Sequence, residues 1–155
     1  LATRIAHFNT GKMLDAQGDQ AGFNIMKRVA ADENLHYLFY RDLGKTAIEL
    51  NPSAMVLAID RQVRKFEMPG TGIVDFGKHA KAIARAGIYD YEIHYNKILV
   101  PVLKKYWGLD KIEGLSPEAE QAREGLLGEF MLRLSKAANR SLERKQKRQA
   151  QLQEA

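Results

Sequence analysis

A glutamate and a histidine three residues apart are the side chains in this sequence most suited to binding a metal. Glu33 and His36 form the only Glu-x-x-His of the chain. Residues three apart on a helix share one face, and their side chains lean in the same direction, so the carboxylate and the imidazole would point at a common position. The spacing therefore indicates a metal site. A solvated Glu–His pair, or a buried histidine bonded to a carboxylate, would have the same sequence.

The residues around this pair predict an apolar helix face. Positions that advance by three and four form one stripe, made of Met26, Val29, Glu33, His36, Tyr40 and Leu43. An ionisable group taken out of water without a partner is costly, so it normally gains a proton, a counter-charge or a metal. Glu-x-x-His is the unit that ferritin-like bundles use to hold paired iron or manganese ions. We therefore expect Glu33 and His36 to be metal ligands on a buried helix face.

Composition narrows the kinds of site and of protein. The chain has 155 residues and no cysteine, which excludes disulfides, thiolate zinc sites and thiol catalysis, and leaves oxygen and nitrogen ligands that suit iron or manganese. No apolar run approaches the ~20 residues that span a bilayer. The first residues carry Arg4, His7 and Lys12 instead of the apolar part of a signal peptide. We expect a soluble, intracellular protein without membrane insertion.

The pattern of apolar residues and breakers predicts an all-α chain. Helices are expected over about residues 1–17, 20–50, 52–67, 74–86, 89–106 and from 116 onwards, because each begins or ends at a cap, proline or glycine signal. Pro101 should kink the fifth of them. No segment alternates as a strand does. The chain is either a single helical domain over residues 1–155 or the C-terminal half of a larger ferritin-like domain.

Basic residues are concentrated near the C-terminus. Residues 133–148 contain seven Lys or Arg and a single acid, Glu143, in a chain whose formal net charge is +5. Such a run is typical of a solvated, partly frayed terminal helix, here about residues 133–155. Its functional alternatives are an acidic protein partner or nucleic acid, and nucleic acid is the weaker because no known nucleic-acid motif accompanies the run. A smaller basic face contains Arg61, Arg64 and Lys65.

The motif Asp32-Glu33-Asn34-Leu35-His36, preceded by two alanines, resembles the second metal-binding motif of the soluble acyl-acyl-carrier-protein desaturases of plastids and actinobacteria. Four other segments are also similar to the family. Residues 2–10 resemble the segment after its third ligand helix, and Phe66-Glu67-Met68-Pro69 resembles its Met-Pro helix break. Residues 107–116 resemble its late loop, and Leu142-Glu143-Arg144 resembles its basic last helix. Leu35 replaces the basic residue that is common in the family. A family ligand glutamate would lie three residues before Thr3, which is one residue before Leu1, so we expect a fragment or processed piece.

The resemblance implies a di-iron enzyme that uses dioxygen to introduce a double bond into a fatty acyl chain on acyl carrier protein. It implies that Glu33 and His36 are metal ligands and that Thr3 lies beside the oxygen-binding face, where it could deliver protons. Asp32 and His7 would lie behind the ligands. Manganese is the alternative metal, and a homodimer, a ferredoxin-type electron donor and a cytoplasmic or plastid-stromal location also follow from the resemblance. Both implied protein partners are acidic, so the candidate carrier-binding residues are Arg61, Arg64, Lys65, Arg140 and Arg144.

Two other interpretations remain open. The chain could be a helical interaction module of the same ancestry without an active metal site, or another ferritin-like di-iron protein assembled from two chains. Glu33 and His36 alone cannot hold two metal ions. We therefore expect the isolated chain to be inactive and to expose the apolar stripe to water.

Overall fold

The computed structural model describes residues 1–67 and 70–153, apart from the side chain of Leu152, and its regular structure is helical throughout. The α-helices of the described residues are α1 (Ala2–Ala16), α2 (Gln20–Leu50), α3 (Pro52–Arg64), α4 (Phe76–Arg85), α5 (Pro117–Gly125) and α6 (Met131–Gln153). Wider π-type turns form the segments Ile93–Leu99, Pro101–Tyr106 and Leu126–Phe130, and Leu109–Lys111 is a short 3-10 turn. The predicted all-α class is confirmed. None of the described helices is both long and apolar enough to cross a membrane.

Local capping signals fix the starts of three helices. The side chains of Asp19, Asn51 and Ser116 each accept a hydrogen bond from the backbone N–H three residues further along, at 2.8, 3.1 and 3.3 Å. Pro52 and Pro117 then occupy the first turns of α3 and α5, where a missing N–H costs nothing. These helices start where the sequence predicted.

Other predictions about helix ends and breaks have different outcomes. Helix α3 ends at Arg64 rather than Glu67. The helix continues through Pro101 as predicted, since residues 91–106 are helical with π-type turns on both sides, and the kink at the proline stays a prediction. A wider turn accommodates the proline because its ring would otherwise clash with the carbonyl four residues earlier. The expected helix break at Met68 and Pro69 lies outside the described residues.

The hydrophobic core lies away from the Glu-x-x-His motif. It is formed where α3, α6 and the segments over residues 93–106, 109–111 and 126–130 meet the C-terminal end of α2. Leu103, Leu109 and Leu126 are almost completely buried there. Its buried members are Ile48, Ile59, Leu99, Leu103, Leu109, Leu126 and Met131.

Helices α1 and α2 form an antiparallel pair, and α1 covers only the first half of α2. Leu14 lies against Gly22, Gly11 against Met26, and Thr3 bonds to Glu33, so the start of α1 reaches only to about residue 34 of α2. On another side of α1, the Asn9 side chain donates a 2.9 Å hydrogen bond to the Ile88 carbonyl. The second half of α2 therefore projects past α1.

This geometry overturns part of the predicted buried stripe. Met26 and Val29 are half-buried, but His36 is exposed, as are Tyr40 and Leu43, at 66% and 53%. They are exposed because α1 ends before it reaches them. The fully buried residues of α2 are instead Ala30 and Ile48. Tyr40 and Leu43 of the predicted stripe are thus open to water in this structure.

Polar contacts hold the last helix, α6, and the side chain of His94 in place. On α6, Lys145 lies 2.7 Å from the Asp90 carboxylate, which also accepts a 3.0 Å bond from the Ser141 hydroxyl. These contacts hold α6 against the fold at Lys145 and Ser141, while most of its later residues are exposed. The half-buried His94 is hydrogen-bonded through Nδ1 to the Tyr89 hydroxyl at 2.8 Å.

A tryptophan fixes the second half of α2 to the core. The Trp107 indole N–H donates a 2.9 Å hydrogen bond to the Arg41 carbonyl, and its ring lies on Gly44. A Cβ atom placed at Gly44 would be only 2.8 Å from Cζ2 of Trp107. A glycine inside a helix costs up to about 1 kcal/mol relative to alanine, so close packing on the ring is the physical reason for Gly44.

We predict that Gly44→Ala destabilises the protein by about 1–3 kcal/mol, because the new methyl group forces Trp107 out of its packed position. Helix propensity alone predicts the opposite sign. The free energy of unfolding from urea denaturation, read together with tryptophan fluorescence, measures this effect. Gly128→Ala is the matched control, since nothing lies within 4 Å of a Cβ there, and it should leave stability equal or higher. A stabilised Gly44→Ala variant would contradict the packing argument.

Candidate metal centre

Glu33 and His36 lie on α2 opposite the start of α1. The Thr3 hydroxyl on α1 donates a 2.6 Å hydrogen bond to Oε2 of Glu33. Nδ1 of His36 lies 3.9 Å from the same oxygen. The Glu33 side chain is 28% exposed and that of His36 is 68% exposed. The two candidate ligands and the candidate catalytic threonine are thus brought together, on a face that is half-open to water.

The surroundings of Glu33 favour its ionised form. The Thr3 hydrogen bond lowers the pKa of the Glu33 carboxyl below its ordinary value, and the nearby histidines His36 and His7 act in the same direction, against a smaller opposing effect of burial. A metal ligand must be deprotonated to bind. The carboxylate is therefore already in its binding form in mild acid.

The other candidate residues near the motif occupy different surroundings. His7 lies one turn after Thr3 on α1 and is half-buried, close enough to Glu33 to affect its pKa. Asp32 is exposed on α2, as expected for a residue that precedes the ligand pair and points to another face. His7 therefore belongs to the cluster around Glu33, whereas Asp32 faces away from it.

The donor atoms present fit one metal ion in part. Carboxylate oxygen and imidazole nitrogen each bind a divalent metal at about 2.1 Å, and donors 3.9 Å apart can both reach one ion at that distance. Within residues 1–67 and 70–153, no group of three or more His, Asp or Glu side chains is placed to hold a metal. Glu33 and His36 are thus only two donors, and their role as metal ligands stays a prediction.

The predicted carrier-binding residues lie on two helices, α3 and α6. Arg61 and Lys65 are exposed at the end of α3, and Arg140 and Arg144 are exposed on α6. Arg64 is also exposed but makes contacts within the chain: its Nε lies 2.7 Å from Oδ1 of Asp60, and its guanidinium lies over the Phe130 ring at 5.1 Å. The role of these five residues in carrier binding stays a prediction.

Sequence reasoning missed basic residues on α4. Lys81 and Arg85 of α4 line a groove between α4 and α6, together with Arg144 of α6. Their spacing of four residues, which places them on one helix face, is the signal that could have found them. Their nearness to α6 is a tertiary fact that no local pattern contains.

Comparison with known proteins agrees with this fold and motif. The sequence profile of the fatty acid desaturase family matches residues 1–155. The putative acyl-[acyl-carrier-protein] desaturase DesA1 of Mycobacterium tuberculosis is 39% identical over 126 residues, which are 81% of this chain and 36% of that protein.

Plant relatives match over more of the chain. The chloroplastic stearoyl-[acyl-carrier-protein] 9-desaturases of Oryza sativa and Ricinus communis are each 30% identical over 154 residues, which cover 94% and 95% of this chain. The chain spans 36% to 40% of the length of these three relatives. Because the family profile covers the whole chain and the fold is all-α as predicted, the chain belongs to the fatty acid desaturase family.

Proposed function

We propose that this chain is part of an acyl-acyl-carrier-protein desaturase and supplies one Glu-x-x-His unit of its di-iron site. The observation that carries the proposal is the cluster of Thr3, Glu33 and His36 across two packed helices. The names of the relatives, which are acyl-[acyl-carrier-protein] desaturases, support the substrate class. In this proposal the substrate is a fatty acyl chain carried by acyl carrier protein.

The reaction needs chemistry that side chains lack. Removing two hydrogens from adjacent unactivated methylenes requires a strong oxidant, and two iron ions with dioxygen supply it when they are bound. Glu33 contributes a hard carboxylate donor and His36 an imidazole donor, a combination that suits iron and, as the alternative, manganese. The two residues take up few positions around a metal, so they leave room for dioxygen.

Thr3 holds a proton next to the ligand carboxylate. Its hydroxyl donates a 2.6 Å hydrogen bond to Oε2 of Glu33, so in the proposed site it would be a proton donor near the metals without being a ligand. We propose that Thr3 takes part in proton delivery and that His7, one turn further along α1, supports the charge of Glu33. Asp32 faces elsewhere, and we propose that it orients a ligand histidine on a neighbouring helix.

The ligand set must be completed by other polypeptide. A site of this type takes two single glutamates and two Glu-x-x-His units from its helices, and this chain offers only Glu33 and His36. The exposed face around Tyr40 and Leu43 is where the other ligand helices would pack, because they would bring their own ligands to His36 there. They would also exclude water, which the reaction requires.

Two further partners belong to the proposal. Electrons would come from a ferredoxin-type donor, and the working enzyme would be a homodimer in the cytoplasm or in the plastid stroma. A second function is favoured by one observation, the 68% exposure of His36. A chain whose ligand face is never completed would be a helical interaction module, or half of a site shared between two copies.

We predict that the isolated chain has no desaturase activity and that activity appears only when the missing ligand helices are added as a second polypeptide. The assay uses iron, a reductant, dioxygen and stearoyl carrier protein, with iron counted per assembled pair. Glu33→Ala and His36→Ala should each lose most of the bound iron on complementation. Glu49→Ala and His79→Ala are matched controls, since both residues are exposed and lie away from the cluster.

Two results would count against the proposal. Turnover by the monomeric 155-residue chain would show that the site is complete without other ligands. Full iron content in Glu33→Ala would show that this carboxylate is not a ligand. Assembly of the pair without iron would instead favour the interaction-module alternative.

We also predict that Thr3→Val raises the pKa of Glu33 toward its ordinary value in the metal-free chain, while Thr3→Ser leaves it low. The folded pKa of Glu33 is lowered, so its contribution to stability is present above the unfolded pKa and is lost as the pH falls through the folded pKa. Thr3→Val should therefore weaken the loss of stability in acid. A carboxyl titration followed by NMR measures the pKa, and an unchanged value in Thr3→Val would contradict the role given to the hydroxyl.

A further inference from the structure

A groove with a volume of about 390 Å³ lies between α1 and α2. The apolar part of its lining comes from both helices and is formed by Ile5, Phe8, Ala30 and Ala31. Phe8 is 39% exposed and Ala31 is also exposed, whereas Ala30 is buried. The groove is therefore an apolar surface that water can reach, and its volume falls within the range of about 300–1,000 Å³ that is typical of small-molecule sites.

The groove lies on a different side of α2 from the candidate metal ligands. Successive residues of an α-helix are rotated by about 100°. Ala31 and Asn34, which line the groove, are rotated from Glu33 by about 160° and 100° in one direction. His36 is rotated from Glu33 by about 60° in the other direction. A ligand in the groove would thus not reach the ligand pair, so this site is separate from the one proposed for the reaction.

Two cations border the apolar lining, one near each end. Arg4 and Asn34 lie at one end, each one residue after a partner of the hydrogen bond that joins α1 to α2. Lys27 lies seven residues before Asn34, and thus about 10 Å away along α2. Within the described residues, neither cation takes part in an ion pair. The groove therefore combines an apolar floor with positive charge that no described carboxylate pairs with.

This arrangement fits a carboxylate with an apolar tail. The guanidinium of Arg4 can hold both oxygens of a carboxylate through two parallel N–H bonds, and the Asn34 amide can donate another. The tail would cover Ala31 and Phe8, and the aliphatic stem of Lys27 would extend the apolar surface at the far end. A phosphate group carries a charge of about −1.5 to −2 and three strong acceptor oxygens, more than one guanidinium and one amide can pair.

We propose that the α1–α2 groove binds a free fatty acid, with the carboxylate on Arg4 and Asn34 and the hydrocarbon chain directed along the groove toward Lys27. The inference does not depend on the proposed function, because neither the groove nor its ligand needs a metal. Under that function the acid has a defined source, which is hydrolysis of the acyl thioester. Water breaks the C–S bond there and gives the carboxylate, the carrier thiol and a proton.

The first test varies the ligand on the unmodified 155-residue chain. Hexanoate, octanoate and decanoate are titrated by calorimetry below the concentrations at which they form micelles. We expect each added methylene to strengthen binding by up to about fourfold while apolar surface of the groove is left to cover. Octan-1-ol and octyltrimethylammonium have the chain without the negative charge, and they should bind at least about fivefold more weakly than octanoate. Equal binding of the three would overturn the role given to the cations.

The second test changes the groove and uses matched controls. Arg4→Glu reverses the charge at the carboxylate end, and α1 has no acid in its first turn, so a glutamate suits that helix end. Ala31→Phe fills the groove from an exposed position. Arg28→Glu and Ala21→Phe make the same changes at exposed positions of α2 outside the groove. Circular dichroism shows whether each variant keeps its helix content.

We expect Arg4→Glu to weaken decanoate binding by about tenfold, because it removes one favourable charge and adds an unfavourable one. Ala31→Phe should weaken binding at least as much, and both controls should bind as the wild type does. Binding that is unchanged in both groove variants would place the ligand on another face, such as that of Tyr40 and Leu43, and would overturn the groove assignment.

Two other outcomes would also overturn the proposal. One is the absence of decanoate binding to the wild-type chain at millimolar concentration. The other is tighter binding of decyl phosphate than of decanoate, which would assign the groove to a phosphate ligand. Each of these results leaves the proposed function standing, since that function is tested by iron content and turnover of the complemented pair.

Discussion

The close approach of α1 and α2 is the constraint on which the candidate site depends. A Cβ atom at Gly11 would lie only 3.0 Å from the Met26 side chain, so the helices approach each other over a residue that lacks one. Because they are this close, the short side chain of Thr3 can reach Glu33 across the pair. A larger separation would leave the hydroxyl and the carboxylate to water, and the pKa of Glu33 would lose its main perturbation.

Local sequence signals predicted the helices well because they are local in physical origin. Asp19, Asn51 and Ser116 cap helices with atoms three residues away, and such bonds need no tertiary structure. The same holds for the pairing of Glu33 with His36 on one helix face. Periodicity could not predict the exposure of Tyr40 and Leu43, since it shows which residues share a face but not whether another element covers that face.

The charged residues show the same division between local and tertiary information. The sequence shows a basic run on the last helix, but not that Lys145 is occupied by Asp90 or that Arg64 is held by Asp60 and Phe130. The packing of α6 thus determines which of its cations stabilise the fold and which face the groove between α4 and α6. This sorting depends on which helix packs beside α6, and only the structure gives that.

The packing of Trp107 on Gly44 holds α2 against the core at that point, and the α1–α2 pair projects from it. Eleven residues separate Gly44 from Glu33, a lever of about 16 Å along the helix, and the side support comes from the Asn9 bond to Ile88. A tilt of α2 by about 5° at Gly44 would displace the Glu33 carboxylate by about 1.4 Å over that distance, which is comparable to a bond length. The position of the Glu33 carboxylate is therefore set in the hydrophobic core, three helical turns away from the proposed metal site.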